Sequence, residues 1–343
     1  MAAETPGRPA ARHAPPPGVI ALLALAVLAP MVGLSVSPWH ANGSLWYLGM
    51  LPVVIGLFAG ARVGFAAALV TPAFVGISLL LQDMPIVGAL YMAAIGVATG
   101  FAALRGWHLM LSFAGPLAAF ALIGDLDVGL PSGTVAAGAS LTSGLVTVGF
   151  VLLGGLWAAT LGQLLVRAFP VQPPATTPQH TAGYFAAALG LLVGVGTYIA
   201  MSWLGPDSWW LILTVFVVVQ PYYADSAARV AARVAGTLAG ALVAVVIVAA
   251  FKDLPAVITA LALALTIAAA WANMKLPYWA FVTFLTPAVV LQTAGGSDAI
   301  IDSIVDRAAY TLVGAAGAAV VLTVGHTLVT RGRSRSHDGS TPA

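Results

Sequence analysis

From residue 19 to residue 329 the sequence is a succession of apolar runs separated by short polar elbows. A water-soluble fold cannot be built from it. Only 7% of the 343 residues are charged, against roughly 25% in a soluble domain, so too few polar side chains exist to cover a surface. Apolar runs of about 20 residues cross a bilayer, and there a helix satisfies its own backbone groups. The runs lie near 19–36, 45–60, 63–81, 85–104, 109–123 and 141–166, then near 183–204, 209–219, 234–251, 255–271, 278–291 and 304–329. This predicts an all-α polytopic membrane protein with about twelve transmembrane helices.

The domain plan follows from the same reading. Residues 1–18, rich in Pro and Ala, form a disordered cytoplasmic tail, 19–169 an N-terminal six-helix half and 170–182 a Pro-rich cytoplasmic linker. Residues 183–330 form a C-terminal six-helix half and 331–343 a basic cytoplasmic tail.

Charge placement tests the span count independently. With the N-terminus inside, Arg62, Arg105, Arg167, Arg229, Arg233 and Lys275 fall at cytoplasmic loops, and Arg331, Arg333 and Arg335 follow the last span. The opposite loops collect Asp83, Asp125, Asp127, Asp207, Asp253, Asp298 and Asp302, with only Lys252 and Arg307 as cations. Such asymmetry is the positive-inside pattern. It places both termini in the cytoplasm and the protein in an inner (plasma) membrane.

Two levels of repetition are visible. Ala61-Arg62-Val63 matches Ala232-Arg233-Val234, and Gln82-Asp83-Met84-Pro85 matches Lys252-Asp253-Leu254-Pro255, so the chain reads as two six-helix repeats. Within the second half, Trp210-x-x-x-Thr214, Gln220 and Arg233-x-x-x-Thr237-Leu238-x-Gly240 form one set. Trp279-x-x-x-Thr283, Gln292 and Arg307-x-x-x-Thr311-Leu312-x-Gly314 form the other. Three spans separate the copies, so they run in opposite directions, the signature of a three-plus-three inverted repeat.

The same residues are similar to the fusaric acid resistance-like (FUSC) and aromatic acid exporter membrane proteins. The similarity runs from Trp210 through Gln220-Pro221, Arg229, Arg233 and Gly236-Thr237-Leu238-Ala239-Gly240, and resumes at Tyr278-Trp279 and at Arg307 with Thr311 and Gly314. It covers roughly 183–330; the N-terminal half follows weakly, and the family's usual soluble cytoplasmic domain has no counterpart here. The resemblance implies export of aromatic or other organic carboxylates across a bacterial inner membrane.

Arg233 and Arg307, and beside them Arg229, are the residues expected to meet an anion, because an arginine inside a membrane must face protein, headgroup or ligand. Each has a plainer alternative. Arg229 can pair with Asp225, Arg233 can serve as a topological anchor, and Arg307 can pair with Asp306 or contact Ser303. Thr237, Thr311 and Gln220, with Thr214 and Thr283, could donate to a carboxylate, although threonine hydroxyls in helices commonly bond the preceding turn. Trp210 and Trp279 could stack on an aromatic substrate; an interfacial belt, with Tyr222, Tyr223 and Tyr278, is the alternative for most of these rings. His40, His108 and His326 are isolated and read as interfacial. Pro52, Pro72, Pro116, Pro221 and Pro287 mark kinked or broken helices.

Several classes are excluded by what is missing. The chain has no cysteine, no phosphate-binding glycine loop and no His, Asp or Glu cluster with ligand spacing. The expectation is therefore no cofactor, no metal and no enzyme chemistry. The expected partners are the lipid bilayer and a small organic anion, with no nucleic acid, and a homo-oligomer is compatible. A passive anion channel and a non-transporting scaffold are the competing functions. An exporter driven by protons needs titratable groups inside the membrane, and the acids fall at span ends.

Overall fold

The computed structural model describes residues 22, 25–26, 29–34, 36–39, 42–124, 128–129, 135–136, 141–168, 176–293 and 297–338. The tail over 1–18, most of the first span and much of the linker lie outside the described residues. Residues 29–34 are helical, and among the described residues eleven further α-helices follow: α1 Gly43–Phe58, α2 Ala61–Leu80, α3 Pro85–Ala102, α4 His108–Ile123, α5 Leu141–Ala168, α6 Gln179–Trp203, α7 Trp209–Val218, α8 Tyr223–Phe251, α9 Pro255–Lys275, α10 Tyr278–Thr293 and α11 Ser297–Asp338. These eleven correspond one to one with the second to twelfth apolar runs. A two-residue antiparallel ladder, Val128–Gly129 with Val135–Ala136, interrupts the loop before α5.

The chain is an all-α membrane protein apart from that ladder. Among the described residues, six segments are long and apolar enough to cross a bilayer: 61–80, 85–105, 141–164, 179–203, 226–251 and 304–324. Shorter apolar stretches lie in α1, α4, α7, α9 and α10. At 1.5 Å per residue, ten-residue α7 is only about 15 Å long, half the hydrocarbon thickness. A helix this short ends inside the protein, where its terminal carbonyls need internal donors. The side-chain amide of Gln220 supplies them, donating to Val217 O and Val219 O, both at 3.0 Å. The Ser226 hydroxyl accepts the Gln220 N–H at 2.8 Å, which ties the elbow to the start of α8.

Prolines sit inside α1 (Pro52), α2 (Pro72), α4 (Pro116) and α10 (Pro287). Each removes one backbone donor. Gly60 has φ 126°, a conformation other residues rarely adopt, and α2 begins at the next residue.

Packing follows one scheme in both halves. In the N-terminal half α1 lies on α5 and α2 on α4; in the C-terminal half α7 lies on α11 and α10 on α8. Glycines permit the close approach in lipid. A Cβ on Gly240 would come within 2.8 Å of Thr283 O on α10, and one on Gly314 within 2.9 Å of Leu211 O on α7. The halves are joined by α3 on α6, with a Cβ on Gly96 reaching 2.9 Å from Gly190 Cα, and by α4 on α7.

Two expectations about helix starts are corrected. The eighth and eleventh helices begin at Tyr223 and Ser297, ahead of the apolar runs near 234 and 304, because the helical hydrogen-bond ladder continues through the charged residues that precede each run. Arg62 and Arg233, aligned by sequence, also differ in surroundings: Arg62 is exposed at the second position of α2, whereas Arg233 is buried. The last helix continues through Arg331, Arg333 and Arg335 to Asp338.

Candidate functional site

Arg233 and Arg307 each stand ten residues beyond the first residue of their helix, about 15 Å along the axis. Both are 1% exposed. They line one small cavity of about 40 Å³. The rest of its wall comes from short helices: Leu48 and Leu51 of α1, Phe113, Pro116, Leu117 and Phe120 of α4, Trp209, Trp210, Leu213 and Val217 of α7, and Phe281, Leu285 and Val289 of α10. Among the described residues, no Asp, Glu, Lys or His lines it.

The two guanidiniums are held differently. The Arg307 Cζ lies 3.9 Å from the centre of the Trp210 ring, an electrostatic attraction strengthened where water is absent. Its Nη2 donates to Thr286 Oγ1 at 3.4 Å. Behind Trp210 the aromatic ladder continues to Trp209, with ring centroids 3.7 Å apart, and from Trp209 to Phe120 at 4.7 Å. Arg233 has no such brace. Its Nε and Nη2, and Nε and Nη1 of Arg307, have no hydrogen-bond partner among the described residues.

A buried, uncompensated guanidinium is costly, by several kcal/mol per ion even after relaxation. Two in one apolar cavity, without a carboxylate in its wall, form a site with an electrostatic vacancy for an anion. Nε and Nη2 lie on one edge of a guanidinium, and that edge matches both oxygens of a carboxylate. Carbon-rich walls suit the body of an organic anion.

The other expected site residues fall elsewhere. Arg229 is half-buried with its Cζ 5.0 Å from the Tyr278 ring centre; the Asp225 side chain lies outside the described residues. Arg307 forms no bridge to Asp306 among the described residues. Ser303's side chain is outside them. Gln220 caps α7 rather than facing the cavity. Thr237 is buried with its hydroxyl unpartnered among the described residues, away from the cavity wall. Thr311 meets Thr214 at 3.5 Å, where α11 crosses α7, and Thr214 donates to Trp210 O at 2.9 Å. Thr283 donates to Trp279 O at 3.0 Å.

Of the two repeated tryptophans, Trp210 is 1% exposed and in the cavity wall, while Trp279 is 51% exposed and turned outward. Tyr222 is exposed too, as a belt residue is. His108 is a correction: it is buried, edge-on to Phe185 with ring centroids 6.1 Å apart, not interfacial. The side chains of His40 and His326 lie outside the described residues. Sequence reasoning missed Thr286, Trp209, Phe281 and the whole N-terminal contribution. The signal available was the pairing of short runs with prolines: Pro116 itself lines the cavity.

Comparison with known proteins adds one match. Residues 195–321 fit the family model described as fusaric acid resistance protein-like. No curated protein and no solved structure matches the chain. The matched stretch contains Trp209, Trp210, Phe281 and both cavity arginines. Over residues 195–321 the chain is therefore similar to the fusaric acid resistance protein-like family.

Proposed function

We propose that this protein carries organic carboxylate anions, aromatic ones among them, out across a bacterial inner membrane. The family match supports a membrane transport role in general. The observation that carries the finer reading is the cavity itself, in which two buried arginines with unpartnered nitrogens meet walls otherwise made of carbon. The arrangement offers binding and charge compensation, with no acid, base or nucleophile for chemical conversion in its wall.

The proposal includes the architecture: twelve spans, both termini cytoplasmic, two six-helix repeats, each a three-plus-three inverted repeat. The shared packing scheme supports this, since the second helix of each half lies on its sixth and the fifth on its third. Inverted repeats exchange these two pairings. Arg233 and Arg307 then approach one central site from opposite membrane faces, as in transporters with midplane sites.

A second reading, a passive anion channel, is favoured by one feature: among the described residues, the cavity wall contains no titratable acid or histidine through which a proton could be coupled. Flux of labelled benzoate and related carboxylates in proteoliposomes, with and without a pH gradient, separates the two. Accumulation against a gradient supports a coupled exporter, and dissipation alone supports the channel. Arg233→Lys should cut either flux at least tenfold, because an ammonium cannot offer a two-pronged edge. Undiminished flux in that variant would reduce Arg233 to an anchor.

A further inference from the structure

Charge counting in the cavity goes one step beyond an anion of unspecified valence. An arginine side chain ordinarily carries one positive charge. Arg233 and Arg307 are both buried, both reach the same cavity, and each keeps two nitrogens without a partner among the described residues. A monoanion would compensate one charge and leave the second buried alone. Two separate monoanions would repel one another and pay the cost of immobilisation twice. One body bearing two negative charges avoids both penalties.

The walls decide what kind of body. With the arginines, Trp210, Phe281, Leu285, Leu48 and Phe120 line the cavity, and the Trp210 indole N–H is buried without a partner among the described residues. A compact inorganic dianion such as phosphate or sulfate would leave most of its oxygens facing carbon, without donors. A rigid hydrocarbon core with a carboxylate at each end instead places its oxygens on the guanidiniums and its ring against the wall. We propose that the preferred ligand of this site is an organic dicarboxylate dianion. One carboxylate sits on the free Nε/Nη2 edge of Arg233, and the other accepts a single hydrogen bond from the free Nη1 of Arg307, whose face is braced by Trp210 and whose Nη2 is held by Thr286. The proposal rests on the reading of the cavity as an anion site and fixes the charge of what it takes.

The test uses the full-length protein in proteoliposomes at pH 8 and ligands matched in shape. Labelled terephthalate, with both carboxylates ionised, is compared with its monomethyl ester, a monoanion of nearly the same size. The wild-type protein should bind and transport the diacid at least tenfold better in apparent affinity. In Arg307→Gln the diacid should lose at least tenfold and the half-ester distinctly less, so that the preference collapses. Equal affinity for the two ligands in the wild-type protein overturns the dianion proposal while leaving anion transport standing, and this arm needs no folded variant. Proportional loss of both ligands in Arg307→Gln also overturns it. Failure to bind either ligand overturns the anion reading and the dianion proposal together. Sulfate competing as well as terephthalate would show that charge alone is read and would remove the hydrocarbon core from the proposal.

Discussion

Trp210 is the residue on which the electrostatics of the cavity turn. Its ring lies between Trp209 and the Arg307 guanidinium, so it fixes where that charge sits. A desolvated cation–π contact contributes up to about 2 kcal/mol, which is up to about thirtyfold in an equilibrium. Trp210→Phe, which keeps a ring face, should retain most of the transport affinity. Trp210→Leu should weaken it roughly tenfold per folded molecule. If both variants merely lower the yield of folded protein while the affinity per molecule holds, Trp210 is packing and not a brace. At this scale the sequence named the two arginines and Trp210 but could not separate Trp210 from Trp279. Both head the same repeated pattern, and only tertiary packing puts one under an arginine and the other on the outer surface. Gln220 was misjudged for a related reason: its amide is consumed by the end of a helix whose shortness, not whose residue types, creates the demand.

At the scale of elements, two like crossings hold the arginines in place. A methyl added at Gly240 would stand 2.7 Å from Thr286 Cβ, 2.8 Å from Thr283 O and 3.0 Å from Pro287 Cδ. Two of these groups belong to the helix core, so α10 must move as a whole. Overpacking of this kind costs about 1–3 kcal/mol. Gly240→Ala should therefore lower the Tm in detergent by several degrees. Gly317→Ala, where a methyl has nothing within 4 Å, should leave it unchanged or raise it slightly through helix propensity. Equal shifts in the two variants would mean that the α8–α10 contact is not tight. Here the apolar runs predicted every described helix, because lipid permits little else. The starts of α8 and α11 were not legible, since hydropathy stops at the first charges whereas the hydrogen-bond ladder does not.

For the whole molecule, the absence of cysteine makes orientation directly measurable, because any introduced thiol is the sole one. Lys252 and Lys275 are exposed at opposite ends of α9. In intact cells an impermeant thiol reagent should label Lys252→Cys at once, and Lys275→Cys only after permeabilisation. The reverse pattern would overturn the proposed cytoplasmic termini and the count of spans behind them. The sequence showed two halves by offset matches, but not that the N-terminal half walls the cavity. Leu48, Phe113 and Phe120 are ordinary apolar residues in an apolar chain, and nothing local distinguishes a wall that faces ligand from one that faces lipid.

The crossed packing of α8 on α10 and α11 on α7 gives each arginine to a different helix pair. Across the seam between those pairs, like charge faces like charge. An unoccupied seam is thus a compressed spring, easiest to hold when the pairs stand apart and hardest when they close. A bound anion reverses the sign of that force and becomes the clasp that draws them together. On the proposed reading, an anion held between Arg233 and Arg307 would draw the two helix pairs toward each other.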